Sequence, residues 1–313
     1  MPTNTDSIWT ARLNGKVPTN FLTNVSSSPS AVAGILSNMI NRIGLTVIEA
    51  PDNIYNPFAV FNKQEIAYGD IVQKYKVPYV AGAAYDPTAT DPFTQNKVAP
   101  ISQYDLNNWS QQYHITIPDN DLRKAFISEN SFNSFVSAET ETLMQSLGLD
   151  VWIAWKKYLS GSSQFISDVS IDTTDPDFGS NLLDLIRSYA NDKFRFPATA
   201  YNVAGDMAVS NDVVCIIKAS NKLLIDKTLE GIYNLEKAKL DCDFIVVDDF
   251  ATGGSSEVYQ AMVLDKRALG FYPKPMSVEM IRNPKARTNE IYLTMEGTFA
   301  IDRFRNAVRI KAQ

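Results

Sequence analysis

Alternating apolar and polar positions dominate the chain between residues 58 and 117. The segment FAVFNKQEIAYGDIVQKYKVPYV at 58–80 is rich in Tyr, Val and Ile, and YHITIP at 113–118 repeats the alternation. A period of two is typical of strands with one wet face. The Pro- and Asp-rich segment YDPTATDPF at 85–93 predicts a turn between the two arms. The pattern therefore predicts a long strand loop, and such an exposed hairpin invites a partner.

A helix signal follows this loop directly. The tripeptide PDN at 118–120 is a typical start, because Asp and Asn side chains accept hydrogen bonds from the free N–H groups of a first turn. Apolar residues then recur mostly three, four or seven apart, at Leu122, Phe126, Phe132, Val136, Leu143 and Leu147. The spacing predicts a helix of roughly 40 Å, which Gly148 ends or bends before a second helical piece at 151–161. It is either one long core helix, the default, or a spine laid across a sheet, whose extra length serves an assembly.

The C-terminal half mixes helical and strand patterns. Apolar spacing predicts a helix at 180–192, and the runs VVCIIK and FIVV predict buried strands with a further helix between them. Strand, helix and strand in this order are typical of a compact α/β unit. The predicted ranges are 213–218 and 244–247 for these strands, 221–240 for the helix between them, and 258–265 and most of 268–312 for later strands.

The beginning of the chain has a different character. Residues 1–30 are polar, carry scattered apolar side chains and end in the Ser-rich run VSSSPS. This composition predicts an extended arm that packs along another surface, its own or a neighbour's. Residues 31–43 have helix-like apolar spacing.

Composition and charge narrow the classes of function. Of the 313 residues 45% are hydrophobic and 20% charged, which is typical of a globular protein. Lys and Arg number 29 against 35 Asp and Glu, so the formal charge is −6. This balance argues against a protein that grips duplex DNA over its whole surface. Two cysteines, Cys215 and Cys242, cannot make a disulfide framework.

Targeting signals are not evident in the sequence. The first residues have neither a basic start nor an apolar run, and no stretch reaches the roughly 18 apolar residues of a membrane span. We therefore expect no signal peptide and no membrane association. Few cysteines and no export signal predict synthesis in a reducing cytoplasm.

Some residues could carry chemistry, but each has a plainer structural explanation. His114, the one histidine, lies in a strand pattern without an adjacent Ser or Cys partner. Cys242 lies in the tripeptide DCD, whose carboxylates disfavour the reactive thiolate. A cation site that combined this tripeptide with Asp248 and Asp249 would lack EF-hand spacing, and FIVV separates the two acidic groups along a strand. We predict no catalytic, cofactor-binding or metal-binding residues.

Short catalytic signatures are also missing, and the basic residues suggest only loose contacts. The sequence has no GxGxxG, GxxxxGK[ST], GxSxG or HExxH motif. Basic residues cluster late in the chain, at Arg282, Lys285, Arg287, Arg303, Arg305, Arg309 and Lys311. On alternating strand positions they would form a modest stripe. A solvated sheet face explains such a stripe, and a loose contact with nucleic acid or acidic neighbours is the functional alternative.

The order of these parts resembles a known family. A polar arm precedes a strand loop, which leads into the helix through YHITIPDNDLRKAFISENSFNSFV, and an α/β unit precedes the closing strands GTFAIDRFRNAVRIKA. This layout resembles the major capsid protein of tailed bacteriophages, with the Hong Kong 97-type shell fold. The resemblance covers nearly the whole chain, and its most specific parts are the junction at 113–136 and the strands at 289–311.

The resemblance implies an α+β shell fold with five parts. These are an N-terminal arm at 1–57, an extended loop at 58–117, a spine helix and peripheral domain at 118–179, an axial domain at 180–267 and closing peripheral strands at 268–313. Axial domains of this family gather at the centres of pentamers and hexamers. Some relatives crosslink their subunits through Lys and Asn, but no motif assigns such a pair here.

The resemblance implies a structural function. Three functions remain as alternatives, of which the first two are shells and the third is an enzyme. The first is a virion protein, made in the host cytoplasm, that self-assembles into an icosahedral shell and contacts packaged DNA non-specifically. Separate scaffolding and portal proteins would be its partners. The second is an encapsulin-like shell around a protein cargo, which shares the fold. The third is a soluble enzyme without a recognisable motif, against which the long loop and early arm argue.

Overall fold

The computed structural model describes residues 56–78, 82, 84, 98–118, 129–208, 212–230, 242–250 and 258–313. For 129–137 and for residues 140, 230 and 280 it describes the backbone alone. Several predictions lie outside the described residues: nearly all of the N-terminal arm, the helix-like segment at 31–43, the loop tip at 85–93, the helix start after Pro118, and the apolar positions Leu122 and Phe126. At Phe132 and Val136 the backbone is described but the side chains are not, so the predicted apolar face is not tested at these two positions.

The described ranges combine three α-helices with eleven β-strands, as expected for the predicted α+β class. The helices are α1 (Glu129–Gly161), α2 (Phe178–Ser188) and α3 (Ala219–Glu230). The strands are β1 (Val72–Lys76), β2 (Ile101–Asp105), β3 (Trp109–Pro118), β4 (Ser167–Ile171), β5 (Val213–Lys218), β6 (Asp243–Val247), β7 (Tyr259–Asp265), β8 (Leu269–Pro273), β9 (Ser277–Asn283), β10 (Thr288–Ile301) and β11 (Ala307–Ala312).

The predicted α/β unit is confirmed. VVCIIK forms β5, FIVV falls within β6, and the two strands pair in parallel with α3 between them in the chain. Every residue of β5 except the last is buried. The apolar run of β5 identified its strand because both of its faces are covered, whereas β6 at the edge of the sheet leaves Val246 42% exposed.

The prediction of a strand at the start of the loop is wrong. Pro57–Phe61 forms a 3-10 turn, and the chain up to Ile71 belongs to no named strand. The turn withdraws Phe58 and Phe61 from solvent, with 0% and 1% of their surface exposed. Side chains at i and i+3 of a 3-10 turn lie on one side, so two Phe residues three apart suit a turn that covers a core.

Gly148 does not end the helix, which was one of its two predicted effects. Helix α1 continues through this glycine to Gly161, and its 33 residues correspond to about 50 Å. A glycine within a helix costs only about 1 kcal/mol relative to alanine. Leu147 and Val151, on either side of it, are buried, and their packing offsets that cost.

The chain divides into two compact units. Described residues of the first unit are 56, 110–118, 129–151 and 274–296. Here β9 and β10 pair antiparallel, and along β10 buried and half-buried residues alternate. The buried face of β10 carries Asn289, Ile291, Leu293 and Met295, and from α1 Leu143, Met144, Leu147 and Val151 are buried. The predicted apolar positions Leu143 and Leu147 are thus confirmed.

The second unit contains a five-stranded sheet in the order β4-β11-β7-β5-β6. Strand β11 is parallel to β4 and antiparallel to β7. One hydrophobic core joins this sheet to α2 and α3, and its members include Leu182, Ile186, Ile217, Ile225, Val263 and Ile310. Helix α2 supplies the apolar stripe that the spacing at 180–192 predicted, and α3 confirms the described part of the helix predicted at 221–240, of which 231–240 lie outside the described residues.

A second, aromatic core of this unit lies around Trp155 of α1. The Trp155 ring has centroid distances of 5.6 Å to Phe58 and 4.8 Å to Phe299. Phe299 also packs against Phe271 of β8 at 4.6 Å and against Trp109 at 6.0 Å. The 3-10 turn, the C-terminal part of α1 and residues of three strands, β3, β8 and β10, therefore share one cluster of rings.

Arg309 fixes the end of α1 to the sheet. Its guanidinium donates to both carboxylate oxygens of Asp168, which is its register partner across β4 and β11, at 2.7 and 3.2 Å. It also donates to the carbonyl oxygens of Ser160 and Ser162, and it lies 4.7 Å from the ring centroid of Phe165. A bidentate arginine of this kind fixes geometry as well as charge.

We expect Leu143→Ala to lower the free energy of unfolding by about 2–5 kcal/mol, because the change leaves a cavity at a side chain only 3% exposed. Leu149→Ala is the matched control on the same helix, since Leu149 is 59% exposed, and we expect a change within about 0.5 kcal/mol. Urea unfolding of dilute subunits, followed by circular dichroism, measures both. Equal losses would mean that the buried face of α1 is assigned wrongly.

Candidate assembly surface

Strands β1 and β2 pair antiparallel, and we call this two-stranded structure the ribbon. Val72 pairs with Asp105 at one end and Lys76 with Ile101 at the other. No third strand joins it within the described part of the chain. A free two-stranded ribbon is marginal in water, so its stability depends on what its two faces contact.

The outer face of the ribbon is exposed and aromatic. Tyr75 is 75% and Tyr104 58% exposed, and Gln73 donates a hydrogen bond to the Tyr104 hydroxyl at 3.2 Å. Ile71 and Val77 continue this face before and after β1, and Leu106 continues it after β2, all more than half exposed. Aromatic side chains are enriched at protein interfaces, so this face has the composition of a contact surface.

The inner face is polar, and a network that we call the inner anchor holds it. Gln103 and Asp105 are buried; Gln103 donates to the Ile301 carbonyl oxygen at 2.7 Å and accepts from the Arg303 N–H at 3.0 Å. The Gln164 amide donates to Asp105 at 2.8 Å and accepts from the Ile301 N–H at 3.0 Å. Buried polar groups with all these partners rigidify the site.

A second contact, the outer anchor, lies at the other end of β1. The Lys76 ammonium is 2.8 Å from the carboxylate of Asp206, which also pairs with Arg305. Burial acts to raise the pKa of Asp206, but the hydrogen bond from Lys76 and the charge of Arg305 outweigh it, so the pKa is lowered. Asp206 therefore remains an anion between two cations.

The loop that carries Asp206 is held rigidly. The amide oxygen of Asn202, which is fully buried, accepts from the N–H groups of Ala204 and Asp206, at 3.0 and 2.8 Å. Its amide nitrogen and that of Asn306 both donate to the Asp206 carbonyl oxygen. Gly205 has φ +66°, a value that favours glycine. The carboxylate of Asp206 thus has a fixed position.

His114 belongs to an exposed polar face of the first unit. Its ring stacks on Tyr292 with centroids 4.5 Å apart, and its Nε2 lies 2.6 Å from Glu290. Hydrogen bonds from Thr116 and Thr288, and a smaller contribution from His114, lower the pKa of Glu290. These contacts are those of a cross-strand surface cluster.

The two cysteines and the acidic groups around β6 are explained by packing and ion pairs. Cys215 is fully buried, which raises the pKa of its thiol well above the ordinary value, and Cys242 packs partly buried against the same core. Asp248 and Asp249 lie 2.6 and 3.0 Å from the Lys156 ammonium. Asp243, at the other end of β6, pairs with Lys266. The predicted separation of the acidic groups by a strand is confirmed.

The late basic residues do not form the stripe on alternating strand positions. Arg303 and Arg305 lie in the turn between β10 and β11, and Arg305 pairs with Asp206. Arg309 is only 8% exposed and is paired with Asp168. Only the group at 282–287 lies together on the surface, at the tip of the β9–β10 hairpin.

The described residues contain neither a candidate metal site nor a helix that could span a membrane. No group of three or more His, Cys, Asp or Glu side chains there could hold a metal ion. None of the helices there combines the length and the hydropathy that crossing a membrane requires.

The polar anchors of the ribbon left no signal in the sequence. Gln103, Asp105 and Gln164 are ordinary surface residue types, and Asp206 lies in an unremarkable loop, NVAGDM. Their roles depend on partners 59 or more residues away along the chain. The alternation at 58–80 predicted two faces for β1, but it did not indicate that Tyr75 points outward. The predicted second arm, YHITIP at 113–118, is wrong: it lies in β3, which belongs to another sheet, and β1 pairs with β2 instead.

Comparison with solved structures identifies the fold. The fold matches that of the capsid structure of Staphylococcus phage Andhra with a TM-score of 0.63 and 11% sequence identity, over 83% of this chain and 85% of that one. The predicted phage shell fold is therefore confirmed.

A family model then identifies the family, because it matches residues 9–311: the chain belongs to the Phi29-like phage major capsid proteins. It is 28% identical to the major capsid protein of Streptococcus phage Cp-1, over 80% of this chain and 74% of that protein. It is 25% identical to the major capsid protein of Bacillus phage PZA, and the match covers 62% of that protein's length. The chain is a structural protein of the virion shell and not an enzyme, which favours the phage prediction over both alternatives.

Proposed function

We propose that the chain builds an icosahedral shell of hexamers and pentamers that encloses phage DNA. The family match over residues 9–311 carries this proposal. Assembly into an oligomeric capsid follows from membership of a capsid family; the hexamers, the pentamers and the enclosed genome are the part that we propose. An acidic chain suits a container for DNA, because a strongly basic wall would hold the genome against ejection.

The ribbon is the surface that we assign to contact between subunits. Its outer face exposes large apolar side chains, which cost free energy in water until a partner covers them. Its inner face is already satisfied by the two anchors. We propose that the outer face lies on a neighbouring copy of the chain, where the rest of the loop also finds its partners.

We further propose that the parts of the chain have the roles implied by the shell fold. The arm at 1–57 and the loop at 58–117 reach neighbouring subunits, and 118–179 with 268–313 form the peripheral domain. The segment at 180–267 forms the axial domain, whose tip lies at the centre of each hexamer or pentamer. Strands β5, β6 and β7 of the five-stranded sheet, with α2 and α3, support a compact axial domain, and β4 and β11 of the peripheral ranges complete the same sheet.

The remaining partners are a scaffolding protein, a portal protein and DNA. We propose that scaffold and portal are separate chains. The contact with packaged DNA is non-specific and weak, since phosphate binding needs clustered positive charge. The cluster at 282–287 supports one such contact, because Lys285 and Arg287 are exposed in the hairpin tip.

Limited proteolysis tests the role of the ribbon. We expect trypsin to cut the free subunit rapidly at Lys74, Lys76 and Lys97, since the described part of the chain adds no third strand to the ribbon, which opens locally whenever its polar anchors break, and to cut assembled particles far more slowly. Negative-stain microscopy and gel filtration establish which state is digested. Equal resistance in a proven monomer would show that the loop is folded onto its own domain, and would remove the main structural support for its proposed role.

A further inference from the structure

The ribbon is attached to its own subunit mainly by polar contacts. On its inner face the apolar side chains are Val72, which is buried, and Ile101, which is half-buried. The other inner residues are Lys74, Lys76, Gln103 and Asp105. Apolar packing alone therefore does not fix the direction of the ribbon relative to the rest of the subunit. The position of the end formed by Lys76 and Ile101 depends on directional polar contacts.

The two anchors act at different points along the ribbon. The inner anchor holds β2 at Asp105 and Gln103, which pair with Val72 and Lys74, and the outer anchor holds Lys76 of β1, four and two residues beyond these. At about 3.3 Å per residue the two anchors are about 7 to 13 Å apart. One fixed point leaves a strand free to pivot, whereas two fixed points set its direction.

The surroundings of Lys76 contain open space. A cavity of about 540 Å³ lies where the chain leaves β1, lined by Pro78 and by residues of the loop that carries Asp206, among them Pro197, Val203 and Gly205. Val77 and Phe196 are exposed nearby in the sequence. Among the described residues, an open cleft and not a packed core therefore borders the chain where it leaves β1.

We propose that Asp206 is a positioning residue for assembly: its carboxylate holds Lys76 and so sets the direction in which the ribbon leaves the subunit. The rigid loop and Arg305 fix the carboxylate, and Lys76 is the one partner that belongs to the ribbon. The ribbon is thus presented to a neighbouring copy in a defined pose. This proposal rests on the proposed function of the ribbon as a contact between subunits.

The experiment compares Asp206→Asn with Asp184→Asn, an exposed acid on α2, by hydrogen exchange of dilute subunits. We expect exchange in peptides covering 72–76 and 101–105 to rise about tenfold in Asp206→Asn, which corresponds to about 1.4 kcal/mol, with β5 and α2 unchanged. Light scattering should show slower assembly. High NaCl should loosen the ribbon of the unchanged protein and have little further effect on the variant.

Lys76→Gln is the second variant, because it removes the ribbon's partner and leaves Asp206 paired with Arg305. It decides the question if Asp206→Asn does not fold, and it should loosen the ribbon in the same way. Unchanged ribbon exchange in Lys76→Gln would overturn the proposal, as would a rise spread evenly over the whole subunit. A third outcome separates the two proposals. If the unchanged protein forms no particles, but ribbon exchange still rises in the two variants, then the proposed function of the ribbon is wrong while the role of Asp206 in holding the ribbon is supported.

Discussion

Replacing Trp155 with alanine is expected to lower the free energy of unfolding by about 3–5 kcal/mol, a large share of the 5–15 kcal/mol that holds a typical domain together. Trp155 is fully buried, and its ring lies between those of Phe58 and Phe299. Its loss would leave a large cavity where the 3-10 turn, α1 and β10 share one core. Urea unfolding followed by circular dichroism would show this, together with a low yield of particles.

Two further variants separate the cavity from other effects. Ile153→Ala changes a half-exposed side chain on the same helix, and we expect a loss within about 0.5 kcal/mol. Trp155→Phe keeps one ring and removes an indole N–H that has no hydrogen-bond partner among the described residues, so we expect it to cost much less than alanine. A Trp155→Ala protein as stable as Ile153→Ala would contradict the assignment of this core.

The sequence predicted those parts of the fold in which local pattern and burial agree. VVCIIK could be assigned because an apolar run bounded by polar residues suits a strand covered on both faces. The 3-10 turn at Pro57–Phe61 was missed because the apolar run FAVF was interpreted as the start of a strand. Gly148 was given too much weight, since tertiary packing overrides the small cost of one glycine.

The candidate site was less predictable, because its charges acquire their roles only through distant partners. Arg309 appeared in the sequence as part of a basic stripe, yet it is buried beside Asp168, 141 residues earlier in the chain. Asp206 gave no signal at all, although it pairs with Lys76 and with Arg305. Alternation fixes which residues share a face of the ribbon, but only these contacts decide which face turns inward.

The outer face of the ribbon yields the prediction with the largest expected effect on assembly. We expect the double change Tyr75→Ala and Tyr104→Ala to raise the subunit concentration required for particles by at least about 30-fold. This estimate supposes that the pair together acts as one interface hot spot of about 2 kcal/mol. Light scattering across a concentration series measures the threshold, and microscopy identifies the particles.

The stability of the free subunit should hardly change. A large loss of assembly at nearly unchanged stability would assign the effect to the contact between subunits. Both rings are more than half exposed, so the double alanine variant should unfold within about 0.5 kcal/mol per site of the unchanged protein. Tyr75→Phe with Tyr104→Phe is the matched control: it keeps both rings and loses only the hydroxyls, one of which accepts from Gln73. We expect this control to assemble nearly normally. Normal assembly of the alanine variant would show that neighbouring subunits do not use the outer face, whereas failure of both variants would assign the contact to the hydroxyls and not to the aromatic surface.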